Sequence, residues 1–246
     1  MQKANNIQYL YDTATDIELI LSCNSAISYP LHNHISVFTI GLVVSGSIFV
    51  TIGNNSFICR KDNPFIIMPY MPHIIEAKKP YSLLTICINK NSVSKFNKKE
   101  MQNNIRHLLT AVSEVEITER QRNQILNCLD MLNANSYISE PFIESAKKQL
   151  EYYPEKKLSI DELSRSAYVS KYHFIRSFKQ AVGLTPHQFQ IQNRIRKAQH
   201  MLNSIDSITE VALTTGFCDQ SHFIKHFEKY FGLTPTEYKI SYRQLT

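Results

Sequence analysis

The sequence contains no tryptophan, only six glycines among its 246 residues, and no long apolar run. Because no apolar stretch approaches the roughly 18 residues needed to cross a bilayer, the pattern excludes a transmembrane helix. The opening stretch, MQKANNIQYLYDTATD, also lacks the apolar core of a signal peptide. We therefore expect a cytoplasmic protein.

Catalytic and disulfide signatures are absent as well. The sequence has no P-loop, no glycine-rich nucleotide turn and no recognisable Ser/His/Asp set, so we assign no catalytic residue and predict no enzyme. The cysteines are odd in number, scattered and without a C-x-x-C pair, which favours reduced thiols. They are Cys23, Cys59, Cys87, Cys128 and Cys218.

The residues that are present favour a globular protein with an anionic partner. The chain is 43% hydrophobic and 20% charged, a composition that can bury a core. Its formal net charge is +6, and the residues from Glu151 onward carry 13 Lys/Arg against 9 Asp/Glu. This excess suits a nucleic acid, and it is also common on a solvated surface.

The N-terminal part is predicted to form strands from about residue 17 to about residue 90. It is rich in Val, Ile, Phe and Thr, with turn signals at residues 45–47 and 53–55. Short strands at this spacing are typical of an antiparallel sandwich or barrel. The proline-rich stretch NPFIIMPYMPH, residues 63–73, should lie at an edge or on an irregular rim.

Helices are predicted after the strands. The stretch TERQRNQILNCLDMLN, residues 118–133, opens with the capping pair Thr118 and Gln121. One helical face is apolar, which indicates either core packing or a dimerisation surface. That face consists of Ile125, Leu129 and Leu132. A further helix is predicted to begin at Pro141 and to end before Pro154.

The C-terminal part contains one helical unit twice, at residues 159–189 and 207–238. Each copy has two phenylalanines four residues apart, a spacing that points both side chains inward. The glycine and the Thr-Pro pair that follow predict a helix end and a new helix start. The matching positions are Phe174, Phe178, Gly183, Thr185 and Pro186 in the first copy, and Phe223, Phe227, Gly232, Thr234 and Pro235 in the second.

The opposite face of each second helix is polar or basic and differs between the copies. Two helices joined by a short turn, with such a face on the second, are typical of a helix-turn-helix motif that enters the major groove. A basic face on one helix could simply keep it hydrated, but two matched scaffolds with different faces favour DNA recognition. The predicted DNA-binding residues are Lys171, Tyr172, Ile175, Arg176, Lys179, Gln220, Ser221, Ile224, Lys225 and Lys229.

This region resembles the DNA-binding domain of the AraC/XylS family of transcription regulators over roughly residues 145–243. The most specific stretch is ALTTGFCDQSHFIKHFEKYFGLTPTEY, residues 212–238, which departs from the family pattern at Glu228. The resemblance implies two helix-turn-helix units joined by one long helix, and recognition helices in successive major grooves. By side-chain chemistry, Arg176 could bind a guanine and Gln220 an adenine, whereas Ile175 and Ile224 can make only apolar contacts. Arg194, Arg196 and Lys197 are expected outside, or near the DNA backbone.

The N-terminal part resembles, more loosely, a cupin-like sensor domain over about residues 15–90. The resemblance implies that His32, His34 and His73 converge inside the strands, although Phe38 stands where metal-binding cupins commonly have Glu. Three histidines can hold a divalent metal, line a pocket for an organic ligand, or serve only the structure. Further candidate lining, which is equally typical of a core, is Phe38, Ile40, Phe49, Ile67 and Tyr70.

We therefore predict two domains, β then α. The ranges are a cupin-like sensor or dimerisation domain at 1–135 (barrel about 15–90, helices about 95–133) and a DNA-binding domain at 136–246, with helix-turn-helix units at about 159–182 and 207–231 and a linker helix at about 186–203. The predicted function is that of a transcription regulator, which the resemblance implies to be an activator. Its predicted partners are promoter DNA and RNA polymerase, with a homodimer possible. A small molecule or a metal is the predicted effector in the first domain, and no cofactor is required. The alternatives are a ligand-independent regulator whose first domain only dimerises, and a metal-dependent cupin enzyme fused to a DNA-binding domain.

Overall fold

The structure is a computed structural model, and it describes residues 6–35, 37–112, 116–132, 140–157 and 159–245. The chain divides into two units: residues 1–135 with 241–246, and residues 136–240. The predicted domain boundary at 135/136 and the predicted helix end at Asn133 lie outside the described residues. Within the described ranges, no helix has the length and apolar character that a membrane span needs.

The first unit is built on two sheets, which confirms the strand-rich N-terminal fold. The strands are β1 Asn6–Asp12, β2 Ile17–Ser25, β3 Tyr29–His32, β4 Val37–Ser45, β5 Ser47–Ile52, β6 Asn55–Arg60, β7 Pro64–Ile67, β8 His73–Glu76, β9 Tyr81–Asn89 and β10 Tyr242–Leu245. One sheet has the order β10-β1-β2-β9-β4-β7 and the other the order β3-β8-β5-β6. Among the described residues, the two sheets do not close into a single hydrogen-bonded barrel, so the architecture is a jelly-roll-like pair of sheets.

Alternation along the strands explains why the unit has a core. In β2, Ile17, Leu19 and Leu21 are fully buried, while the residues between them are partly exposed. This period of two places one face of the sheet against the core. Gly46, with φ +75, makes the turn from β4 to β5, and a Cβ there would lie 2.7 Å from the Pro80 carbonyl oxygen. The turn therefore requires glycine.

Two strands lie outside the predicted range. β1 begins at Asn6, upstream of the predicted start, and pairs antiparallel with β2. β10 pairs parallel with the other side of β1, with Tyr9 opposite Tyr242. The outer strand of this sheet thus comes from residues that follow the whole helical unit in sequence.

Three α-helices follow the strands: α1 Lys90–Lys95, α2 Lys98–Thr110 and α3 Glu119–Cys128, with a short 3-10 helix at Leu129–Met131. The predicted capping box of Thr118 and Gln121 begins α3. Ile125 and Leu132 are 1% and 7% exposed in the same core as the sheet residues, and Leu129 packs against that core. Of the two interpretations of this face, the structure agrees with core packing, because Ile125 and Leu132 are core residues and Leu129 packs against them.

The second unit is helical: α4 Pro141–Tyr152, α5 Ile160–Ser166, α6 Lys171–Val182, α7 Pro186–Met201, α8 Ile208–Thr214, α9 Gln220–Phe231 and α10 Pro235–Ser241. Gly183 and Gly232 end α6 and α9 in the left-handed conformation, as predicted. The capping box of Thr185 and Gln188 begins α7. The apolar side chains along α7, together with Leu202 just after it, are buried: Phe189, Ile191, Ile195, Ala198 and Leu202.

Candidate DNA-binding surface and histidine cluster

The first helix-turn-helix unit consists of α5 and α6. Ser170 caps α6 by accepting a hydrogen bond from the His173 amide. Phe174 and Phe178 are fully buried, so the opposite face of α6 is turned to solvent. The predicted DNA-binding residues of this unit are all exposed: Lys171, Tyr172, Ile175, Arg176 and Lys179.

The second unit, α8 and α9, repeats this arrangement. Asp219 caps α9 through the His222 amide, and Phe223 and Phe227 are fully buried. The predicted residues Gln220, Ser221, Lys225 and Lys229 are exposed, and Ile224 is half-buried. Each unit thus presents a separate polar face from an equivalent scaffold, as a DNA-binding helix pair requires.

The turns of the two units each contain a residue with positive φ at the matching position, but the residue type differs. Tyr168 has φ +56 and is 98% exposed, whereas Gly216, at the matching position, has φ +88. A Cβ at Gly216 would lie 2.8 Å from the Glu155 carbonyl oxygen. The second turn is therefore too closely packed for a side chain, while the first is open to solvent.

Each recognition helix is also linked to the helix before it by a side-chain contact at its first residue. In the first unit, Lys171 forms a salt bridge with Asp161 of α5. In the second unit, the Thr209 hydroxyl of α8 donates to Oε1 of Gln220 at 2.6 Å. Sequence patterns do not predict these contacts, because neither residue pair has a recognisable spacing.

Arg194 on α7 binds main-chain carbonyl groups within its own unit, which corrects the expectation that it lies outside or near DNA. Its Nε donates to the Pro154 oxygen at 2.7 Å and its Nη1 to the Gly216 oxygen at 2.6 Å. Nη2 lies near the oxygens of Glu155 and Lys156, at 3.5 and 3.4 Å. Burial lowers the pKa of the guanidinium from its usual value. Arg194 therefore joins the segment after α4 to the turn of the second helix-turn-helix unit.

Its neighbours on α7 are also engaged within the unit. Lys197 forms an ion pair with Glu155 at 2.9 Å, and the pair is partly exposed. Arg196 is half-buried. Side chains of α7 thus support the helical scaffold, and the exposed polar faces of α6 and α9 remain the candidate DNA-binding surface.

The three predicted histidines of the first unit lie together. His32 ends β3 and pairs in register with His73, the first residue of β8, while His34 lies just beyond β3. The ring centroids of His32 and His73 are 4.1 Å apart, and that of His34 is 4.7 Å from His73. In the described part of the chain, this is the one group of three or more His, Cys, Asp or Glu whose ligand atoms, all within 4.8 Å of one another, could share an ion.

Backbone carbonyl groups fix the tautomers of two of these rings. Nδ1 of His32 lies 2.7 Å from the Pro30 oxygen, and Nδ1 of His73 lies 2.9 Å from the Met71 oxygen. Because a carbonyl oxygen only accepts, Nδ1 carries the proton in each neutral ring and Nε2 has the lone pair. In metal sites, a hydrogen bond from the ring nitrogen that does not bind the metal orients the imidazole in this way. Nδ1 of His34 contacts the Thr39 hydroxyl.

Of the further predicted lining residues, three belong to the core. Phe38 and Ile40 are each 1% exposed and Ile67 is fully buried. The position where metal-binding cupins commonly have Glu is therefore occupied here by an apolar core side chain, Phe38. Phe49 is half-buried under the Lys78 ammonium, 4.5 Å from the ring centroid. Tyr70 is half-buried at φ +63, and its amide donates to the His34 oxygen at 2.7 Å. Tyr70 thus contacts the histidine segment through its backbone.

Comparisons with known proteins agree with this geometry. Residues 163–240 match a family described as a helix-turn-helix domain. A relative named uncharacterized HTH-type transcriptional regulator YbfI, from Bacillus subtilis (strain 168), is 27% identical over 223 residues, 78% of this chain and 80% of YbfI. The HTH-type transcriptional activator Btr of the same organism is 32% identical over 79 residues, 32% of this chain and 15% of Btr.

Among solved structures, ToxT from Vibrio cholerae O395 superposes with a TM-score of 0.58 at 11% identity, over 92% of this chain and 97% of ToxT. At this identity the likeness concerns the fold. It extends over both the strand-rich and the helical part. The similarity to transcriptional regulators comes from the sequence relatives.

Proposed function

We propose that this chain is an AraC-type helix-turn-helix transcriptional regulator, and that it activates transcription by placing α6 and α9 in successive major grooves of promoter DNA. The duplicated scaffold with two different exposed faces carries the proposal. Buried phenylalanine pairs hold both recognition helices in the same way, so the differing faces are suited to different base sequences. RNA polymerase is the proposed partner at the promoter, and the cytoplasm is the proposed compartment.

A binding experiment with DNA from upstream of the protein's own gene tests the recognition part of the proposal. We expect purified protein to bind this DNA more tightly than scrambled DNA at moderate salt. Equal affinity for both would contradict sequence-specific recognition.

Arg176→Ala gives the residue-level test. Arg176 is exposed on α6, where a guanidinium can donate two hydrogen bonds to guanine. The substitution should cost about 1–3 kcal/mol of binding free energy and relax the preference at one base position. Arg60→Ala, an exposed arginine of the first unit, is the control. Equal loss on every DNA sequence would assign Arg176 to the phosphates instead.

We further propose that the histidine cluster binds a divalent transition metal as the effector. The residues fit such an ion: His32 and His73 are buried, their Nδ1 atoms are held by carbonyls, and their Nε2 atoms carry the lone pairs. An all-imidazole set favours Zn²⁺ or a similar ion over Mg²⁺ or Ca²⁺, which prefer oxygen. When bound, the ion would supply a cross-link between β3 and β8. This cross-link would shift the population of DNA-competent conformers.

An organic carboxylate is the alternative effector. One structure of ToxT contains an unsaturated fatty acid and another contains (E)-4-(8-methylnaphthalen-1-yl)but-3-enoic acid. Since this chain shares the ToxT fold, this class of ligand is the second candidate for its first unit.

Metal analysis of purified protein, and titration of the apo protein with Zn²⁺, separate these possibilities. We expect about one ion per chain and its loss in His73→Gln. His107→Gln, an exposed histidine on α2, should keep the ion. Circular dichroism checks that His73→Gln remains folded. A metal-free wild-type protein that does not bind added Zn²⁺, and that is stabilised by a fatty acid, would favour the carboxylate.

A further inference from the structure

The contacts between Asp161 and Lys171, and between Thr209 and Gln220, occupy equivalent places in the two units. Asp161 and Thr209 are the second residues of α5 and α8, and Lys171 and Gln220 are the first residues of α6 and α9. One contact is ionic and the other is a neutral hydrogen bond. The same two positions are thus linked in both units, although by different chemistry. This recurrence indicates that a contact at this place has the same role in each unit.

We infer that these contacts determine which atoms the recognition helices present to DNA, and that Gln220 presents hydrogen-bond donors to its base. The inference rests on the proposed function, because it requires α9 to enter a major groove. Thr209 is then a positioning residue for Gln220, and Asp161 for Lys171.

The chemistry of the glutamine amide gives the base preference. A glutamine that binds adenine bidentately accepts from the N6 amino group through Oε1 and donates to N7 through Nε2. In this structure Oε1 of Gln220 already accepts from the Thr209 hydroxyl at 2.6 Å. The amide group therefore turns Nε2, with its two donors, toward the groove. Guanine offers two acceptors, O6 and N7, so Gln220 should prefer guanine, in contrast to the adenine expected from an unpaired glutamine side chain.

In the first unit, the corresponding contact should affect the binding of DNA phosphates. Because Asp161 neutralises Lys171 and holds its ammonium toward α5, Lys171 contributes little to phosphate binding. Releasing Lys171 should add one phosphate contact without changing base preference.

All four side chains are exposed, which makes the pairs suitable for mutation. Exposed pairs contribute little to folding stability, so the variants should remain folded and the changes in DNA binding can be interpreted directly. The chain also offers matched controls. Thr214 is an exposed threonine at the end of α8, and Glu162 is an exposed carboxylate beside Asp161.

The first experiment selects binding sites from randomised duplexes with the wild-type full chain. The base position assigned to Gln220 is the one whose preference disappears in Gln220→Ala. At that position we expect the wild type to prefer guanine over adenine by about tenfold, and Thr209→Val to lower or reverse this ratio. Thr214→Val should leave the ratio unchanged, and Thr209→Val should have no further effect in the Gln220→Ala background.

The outcomes separate two failures. If the wild type selects no sites, the proposed function itself fails. If it selects sites but Thr209→Val has the wild-type profile, or if Gln220→Ala changes no position, the inference is overturned while the function stands.

The second experiment measures affinity for scrambled DNA against salt concentration. Asp161→Asn should steepen the slope of log K against log salt by about one, because it frees one cation for a phosphate. Glu162→Gln makes the same change in net charge and should leave the slope unaltered. Equal slopes for the two variants would overturn the role given to Asp161.

Discussion

Replacing Arg194 should destabilise the helical unit even though the side chain lies on a helix rich in basic residues. Its two short hydrogen bonds, to the oxygens of Pro154 and Gly216, are charge-assisted. At partial exposure each should contribute about 1.5 kcal/mol, so Arg194→Ala should lower the free energy of unfolding by about 3 kcal/mol. Arg194→Lys keeps the charge but loses the planar fork that reaches both oxygens, and should cost about half as much.

Scanning calorimetry of the full chain provides the assay. A loss of 1 kcal/mol lowers the melting temperature of a domain of this size by about 4–8 °C, so Arg194→Ala should lower the helical unit's transition by more than about 10 °C. Arg176→Lys, an exposed arginine of the same unit, is the matched control and should change stability by less than about 0.5 kcal/mol. If Arg194→Ala behaves like this control, the guanidinium does not hold the unit together and our interpretation of its contacts is wrong.

Two further predictions concern the helix-turn-helix units. Tyr168→Gly should stabilise the protein by about 0.5–1 kcal/mol, because glycine removes the cost of a left-handed residue and the exposed ring loses no packing. Nε2 of His226 lies 3.0 Å from Nε2 of His222. Burial is the largest cause that lowers the pKa of His226, and His222 and nearby cations lower it further. Since the histidine of the unfolded chain has a pKa of about 6.5, stability should fall as the pH drops through this value, and His226→Gln should flatten that dependence.

Each of these predictions has its own control. Tyr168→Ala removes the ring but keeps a Cβ, so it should give no stabilisation in chemical unfolding; a gain equal to that of glycine would rule out the backbone explanation. For the pH dependence, His107→Gln of the first unit is compared with His226→Gln in melting curves between about pH 5 and 8. An unchanged slope in His226→Gln would show that another group titrates.

The local signals of the helical unit made its fold predictable. A capping residue, a phenylalanine pair and a stop glycine lie within one short stretch, and each acts on its immediate neighbours. Phe174, Phe178 and Gly183 therefore indicated α6 without knowledge of distant contacts. The convergence of His32, His34 and His73 was indicated only by resemblance, because β3 ends at His32 and the register that joins it to His73 is a long-range pairing.

The remaining features depend on partners that leave no pattern in the sequence. Arg194 binds main-chain oxygens, and any residue type can supply these. The contact of Thr209 with Gln220 joins two exposed polar residues that have no preferred spacing. Ile125 and Leu132 form an apolar face that is equally consistent with an interface, and only the packing of α3 against the sheet places them in the core.

The parallel pairing of β10 with β1 has a consequence for the order in which the protein is made. During synthesis β1 emerges before the helical unit, and β10 emerges after it. Until then, the outer edge of β1 presents free amide and carbonyl groups, and such an edge can pair with another nascent chain. A stop codon placed just before Tyr242 would make this temporary exposure permanent. Truncation beyond α10 should therefore affect solubility through the first unit, although the deleted residues directly follow the DNA-binding helices in sequence.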